Sequence, residues 1–195
     1  MDLDKQLNDF VNFLKSAHKA SATVIAYRKD IAQLLDYLKK IGKANLKDVA
    51  TEDLNNFLSL LGAENYTPKS VSRKINSIKT FYRFLALNKV VDTNVAASIT
   101  HPKFDSKAPR ILSRMEYRAL RDACRDDARI AAVVELLLQT GMRIGELASL
   151  TLDSISGNFI RIPQIEGHPS REVPLNKAAK EALDRYIAIR PKVDT

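Results

Sequence analysis

The sequence predicts a mainly α fold: a four-helix bundle over residues 1–100, then a smaller α+β unit with a small β-hairpin sheet over residues 111–195. Three observations predict it. Apolar residues recur at three- and four-residue steps through the first hundred positions, the helical period. A segment without that period and with two prolines, HPKFDSKAPR, interrupts them at 101–110 and reads as an extended linker. Beyond it, NFIRIPQI alternates with period two and REVPL supplies a returning strand, with Gly167 and Pro169 in the turn between.

The elements follow in order. Leu3, Leu7, Phe10, Val11 and Leu14 make one apolar stripe. Ser21 and Thr23 are candidate N-caps for a second helix with Val24, Tyr27, Ile31, Leu34, Leu35 and Leu38 inward, ended by Gly42. Thr51, followed by Glu52 and Asp53, opens a third, because acidic side chains favour the positive end of a helix dipole. Its inward residues are Leu54, Phe57, Leu58 and Leu61, with Gly62 closing it. Thr67-Pro68 is a cap followed by a proline whose missing N–H costs nothing at the first helical position, and the fourth helix runs to about Leu87. In the second unit, Ser113 and Glu116 have capping-box spacing and start a helix over about 114–125. ARIAAVVELLLQTG reads as a helix buried nearly all round, IGELASL as a short helix after the turn at Gly141, and about Lys177 to Ile189 as the last helix.

Composition is that of a globular chain, 45% hydrophobic and 28% charged. The longest apolar stretch, Ile130 to Leu138, is broken by Glu135 and is too short for a bilayer, and the acidic first residues show no secretory signal, so no membrane partner is expected. The lone Cys124 cannot form an internal disulfide and reads as a small buried hydrophobe in a reducing, cytoplasmic setting. The net charge of +8 favours polyanionic partners, since each neutralised phosphate releases a condensed counterion.

The distribution of charge sharpens this. Between Glu64 and Asp92 there is no acidic residue, against six basic ones. At 100° per residue, Val71, Ile75, Ile78, Tyr82 and Leu85 share one face of the fourth helix, and Lys69, Arg73, Asn76, Thr80 and Arg83 share the opposite one. A solvated face usually mixes signs, whereas Lys69 and Arg73 repel, an arrangement suited to a nucleic-acid backbone. Lys103 and Lys107 add cations in the linker. The other sharp local signal is LLLQTGMRIGELASLTLDSI at 136–155. Arg143 follows the glycine turn, with Glu146 three residues on. Two readings stand side by side: a guanidinium fork presented to a phosphate, or a salt bridge to Glu146 that ties off the turn.

The run T-G-M-R-I-G-E-L-A-S-L-T-L-D-S-I resembles the first catalytic motif of the tyrosine recombinase, or phage integrase, family. SVSRKINSIKTFYRFL resembles that family's DNA-contacting fourth helix, and SATVIAYRKDIAQLLDYL its second. LSRMEYRAL and REVPLNKAAKEAL resemble segments of its catalytic domain. The resemblance implies a SAM-like core-binding bundle followed by a partial catalytic domain, clasping double-stranded DNA and assembling as homo-oligomers, tetramers in full-length relatives. It implies site-specific strand cleavage and rejoining through a 3′-phosphotyrosine with no cofactor and no metal, in a bacterial or archaeal cytoplasm, and it makes Arg143 the first catalytic arginine.

Two departures are visible. The family's hairpin lysine has no counterpart, for there is no lysine between Lys107 and Lys177, and its ungapped position holds Glu166, with His168 two residues on. The family's His-x-x-Arg motif and tyrosine nucleophile follow the last helix, and the histidines His18, His101 and His168 and the six tyrosines lie in other contexts. The expectation is therefore a truncated, catalytically silent recombinase that binds DNA. A DNA-binding remnant regulating recombination sites is the alternative, and an all-α interaction module unrelated to DNA is a third reading.

Overall fold

In the computed structural model residues 2–103, 108–165 and 168–192 are described. The chain divides into two compact units, Met1–Lys107 and Ala108–Thr195. The first consists of α1 (Leu3–Ser16), α2 (Ser21–Lys40), α3 (Thr51–Ala63) and α4 (Pro68–Leu87), with a 3-10 turn at Leu46–Asp48 before α3. The second consists of α5 (Arg114–Ala123), α6 (Ala128–Thr140), α7 (Ile144–Ala148), the antiparallel strands β1 (Ile155–Ser156), β2 (Phe159–Ile162) and β3 (Arg171–Pro174), and α8 (Lys177–Ile189).

The caps explain most of the boundaries. Asp2 accepts from the amides of Asp4 and Lys5 at the head of α1, and Thr67 Oγ1 accepts from Ser70 N at 3.2 Å with Pro68 at the first turn of α4. α2 differs from expectation: the residue before its first turn is Ala20, which offers no side-chain acceptor, and Ser21 and Thr23 lie inside the helix. α3 is started from within, the Asp53 carboxylate accepting from Ala50 N at 2.8 Å. It runs one residue past Gly62 before reversing at Asn65, whose φ is +61°.

The predicted apolar stripes meet in one core. Phe10, Leu14, Ile31, Leu34, Leu38, Leu54, Leu61, Ile78, Phe81 and Leu85 are all fully buried there. Phe10 packs edge-on against Phe81 at 5.1 Å between ring centroids. A buried side chain of this size contributes about 1.5–3 kcal/mol by leaving water. Against this core stands a polar cluster that the apolar pattern does not announce. The buried Asp30 carboxylate of α2 accepts from Lys74 Nζ at 3.0 Å and Ser77 Oγ at 3.1 Å, and from the Arg73 guanidinium, all on α4. Lys74 also donates to Gln33 Oε1 at 2.6 Å and sits 5.1 Å from the centre of the Tyr66 ring.

The second unit is a small sheet under helices. β2 pairs with β3 in the register Ile160↔Val173 and Ile162↔Arg171, and β1, too short to register in the sequence pattern, pairs with β2. Ile160 and Ile162 point into a core shared with Leu136, Met142, Leu175, Ala179 and Leu183. The capping box at Ser113 forms, Glu116 N donating to Ser113 Oγ at 3.2 Å and Ser113 N to Glu116 Oε2 at 2.9 Å. α6 is less enclosed than its composition suggests, with Ile130 exposed and Val133, Val134, Leu137 and Leu138 only half-buried. Cys124 caps the end of α5 and is half-buried rather than buried. Among the described residues no helix is long and apolar enough to cross a membrane.

Tyr82 is fully buried and its hydroxyl has no hydrogen-bond partner among the described residues, a burial that also pushes its acidity well below that of a free phenol. Replacing it with phenylalanine removes an unsatisfied donor at constant packing, so thermal unfolding of Tyr82→Phe should occur at or above the original midpoint, by up to about 1–2 kcal/mol. Asp30→Ala should do the reverse, losing about 3–5 kcal/mol in a denaturant titration because the buried Lys74 ammonium is left without its counter-ion.

Candidate nucleic-acid interface

On the outward side of α4 the sequence-derived face is only partly free. Lys69 and Arg83 are exposed and make no hydrogen bond or ion pair through their side chains with any other described residue, and the Asn76 side chain is likewise open to solvent. Thr80 is half-buried and its hydroxyl donates to the Asn76 carbonyl at 2.7 Å, one turn back along the helix. Arg73 is drawn toward the protein, its guanidinium paired with Asp30 while nearly half of its side chain stays exposed. A charge reversal at Arg73 would therefore report on the Asp30 cluster and not on DNA contact alone. Lys103 is exposed and unpaired among the described residues, while Lys107 and Glu166 lie outside them.

At Arg143 the structure forms the salt bridge to Glu146 that the sequence offered as one of two readings. Thr140 Oγ1 donates to the Leu136 carbonyl at 2.6 Å and accepts from Met142 N at 3.2 Å, closing α6. Gly141 then reverses the chain at φ +63°, a left-handed conformation that side chains resist. The buried Met142 fixes the next residue in the core, so Arg143 emerges at the N-cap of α7 with its side chain 58% exposed. Glu146 holds it: Arg143 N donates to Oε2 at 2.8 Å and Arg143 Nη1 to Oε1 at 3.0 Å.

A second arginine, overlooked in the sequence, completes this arrangement. Arg171 at the head of β3 reaches the same carboxylate bidentately, Nη1 to Oε1 at 2.8 Å and Nη2 to Oε2 at 2.7 Å. Two guanidinia and one amide thus saturate a carboxylate that is only 3% exposed. These donors hold the Glu146 carboxyl down to about 2, with the Arg171 hydrogen bonds the largest cause and the Arg143 amide next. The available signal was spacing. His168 and Arg171 stand three apart in a His-x-x-Arg pattern, but both lie on the approach to β3 ahead of α8, and Arg171 is committed to Glu146. His168 is exposed and pairs only through its backbone with Ile165. Arg143 keeps unused N–H groups in solvent, a donor set suited to a phosphate. Among the described residues no cluster of side chains suits a metal ion.

Comparison with known proteins finds matches for both units of the chain. Residues 7–89 match the family model described as the phage integrase N-terminal SAM-like domain, and residues 110–195 match that of the phage integrase family. Over 197 residues the chain is 28% identical to the tyrosine recombinase XerD of Rickettsia bellii, covering 94% of this chain and 64% of that protein. Over 187 residues it is 31% identical to the tyrosine recombinase XerC of Anoxybacillus flavithermus, covering 93% and 62% respectively. The chain therefore spans a little under two thirds of the length of these relatives. Its fold is that of a lambda integrase fragment solved as a dimer on a COC′ core site, with a TM-score of 0.79 at 22% identity over 97% of this chain and 70% of that one.

The Glu146 carboxyl has a lowered pKa, so the stability it lends is fully present above the ordinary carboxylate range and drains as pH falls toward about 2. Melts of the chain along that acid limb should show a fall that Glu146→Gln flattens, while at neutral pH the same variant is the less stable protein.

Proposed function

This chain belongs to the phage integrase family of tyrosine recombinases, and from that membership we propose that it binds double-stranded DNA for site-specific recombination, with Arg143 as the first arginine around the phosphate that is cut and rejoined. Residues 1–100 act as the core-binding domain, residues 101–110 as a linker and residues 111–195 as the first part of the catalytic domain. The protein works in the cytoplasm on chromosomal or mobile-element DNA and assembles with further copies on its site.

The observation that carries this reading is the presentation of Arg143. Its backbone is fixed by Gly141 and Met142, one N–H is spent on Glu146, and the remainder face solvent. In the proposed chemistry a tyrosine hydroxyl attacks a phosphodiester, a 3′-phosphotyrosyl bond forms, and a 5′-hydroxyl leaves and later reverses the step. Negative charge develops on the non-bridging oxygens, and a guanidinium held in place beforehand stabilises it without rearranging. None of the six tyrosines is assigned as nucleophile. Tyr82 is buried in the helical core, and Tyr27 and Tyr186 are half-buried on α2 and α8. Lys69, Asn76 and Arg83 on α4 and Lys103 in the linker contact the backbone and set register. Thr80 supports that face through Asn76, and Arg73 contributes with the part of its guanidinium that Asp30 leaves exposed.

The test is fluorescence anisotropy of the chain on duplex DNA over a range of salt. Neutralising Lys69 and Arg83 together to Gln should weaken binding by about tenfold or more and lower the slope of log K against log salt by about 0.9 per cation removed. Arg143→Gln should cost about 1.5–3 kcal/mol of affinity for a duplex nicked at the scissile position, through lost charge-assisted hydrogen bonds. Unchanged affinity and slope in both variants, with melts unaltered, would remove these residues from the interface.

A further inference from the structure

A second basic site lies in the C-terminal unit, outside the segment 136–155 that carries Arg143. Along α5 and the turn after it, Arg114, Arg118, Arg121 and Arg125 follow one another at steps of four, three and four, so they form a single row on one helix face. Like charges at this spacing oppose helix formation, and α5 buries none of its residues to offset them. Arg121 and Arg125 are offset by Glu135 and Asp122, whereas Arg114 and Arg118 make no ion pair with any other described residue.

A cavity of about 410 Å³ is lined by Arg118, Arg121 and Arg125 from the row, Arg185 from α8, and the carboxylates Asp122 and Glu135. Both carboxylates already have cations: Arg121 pairs with Glu135, and Arg125 Nη2 lies 2.6 Å from Asp122 Oδ1. Arg118 and Arg185 come from different helices, are exposed, and make no ion pair or hydrogen bond with any other described residue. Four arginines against two carboxylates leave the cavity with two uncompensated positive charges. Neither Arg143 nor Glu146 nor Arg171 lines it. The cavity opens on the first half of α6, at Ala131, Val134 and Glu135, whereas Arg143 follows the end of that helix.

We propose that this cavity is a phosphate seat, separate from the Arg143 site, in which Arg118 and Arg185 clamp one phosphate group from two sides. The guanidinium fork matches phosphate oxygens two at a time, and a mono- or dianion neutralises the residual charge without unpairing Asp122 or Glu135. The phosphate is that of a nucleic-acid backbone, which extends the DNA footprint onto the outer helices of the C-terminal unit. Only this choice of source rests on the recombinase reading. Free phosphate or pyrophosphate offers the same chemistry, and the experiment separates the two.

The test compares the chain with its Arg118→Gln/Arg185→Gln variant. Neither side chain hydrogen-bonds or ion-pairs with another described residue, so matching thermal melts are expected and serve as the control. In one arm inorganic pyrophosphate is titrated by calorimetry, and the variant should bind it at least several-fold more weakly. In the other arm duplex DNA is titrated over a range of salt, and the variant's slope of log K against log salt should be lower by about 0.9 for each phosphate-pairing cation lost. Loss in both arms supports a backbone phosphate; loss for pyrophosphate alone supports the seat with a free anion as its ligand. No change in either arm overturns the proposal. Neutralising Lys69 and Arg83 to Gln should leave the pyrophosphate arm untouched, so failure of the α4 interface and failure of this seat give different results.

Discussion

A carboxylate withdrawn from water must be met by donors, and in this chain that requirement decides where the arginines point. Asp30 in the helical unit and Glu146 in the mixed unit are both almost completely buried, and each is matched by two cations. Removing an ion from water is expensive, and only close hydrogen-bonded geometry recovers it. The consequence is directional. Asp30 fixes α4 against α2 through Lys74 and Ser77 and so fixes which side of α4 faces out. Glu146 fixes the rotation of Arg143 and ties the turn after α6 to the head of β3. The cations that meet these carboxylates hold the fold, and those left over are free to meet something else.

That division explains what the sequence shows and what it conceals. Helices such as α4, opened by Thr67-Pro68, and α8 are legible almost to the residue, and the stripe of α1 is legible throughout, because local hydrogen bonds and burial agree. The start of α2 is not, since Ala20 carries no signal and the nearby Ser21 and Thr23 carry a misleading one. β1 has two residues and exists only because β2 lies beside it. α6 reads as buried nearly all round from its composition, but how much of a helix is covered depends on the elements packed around it, which periodicity does not report.

The polar sites follow the same logic. Helical projection places Arg73 on the outer face correctly, yet long side chains bend toward unsatisfied charge, and Asp30 is forty-three positions away in sequence. Lys74, next to it on the helix, is buried for the same reason, although a lysine in a basic run reads as solvated. Arg143 with Glu146 is visible because the pair is local, while Arg171 is twenty-five positions from the carboxylate it holds and becomes its partner only when the hairpin returns. Contacts close in sequence can be read; those closed by topology have to be seen.

The turn at Gly141 has a consequence of its own. A Cβ built there would meet nothing within 4 Å, so room is not what keeps this position a glycine. The limit is handedness: an L-residue at a φ of +63° brings its Cβ against the following carbonyl oxygen, at roughly 1–2 kcal/mol. A D-alanine introduced by chemical synthesis would meet no such penalty. The placement of the guanidinium two residues later is thus governed by the mirror sense of a single backbone torsion rather than by the volume around it, and a methyl group of the wrong chirality would disturb a site that it never touches.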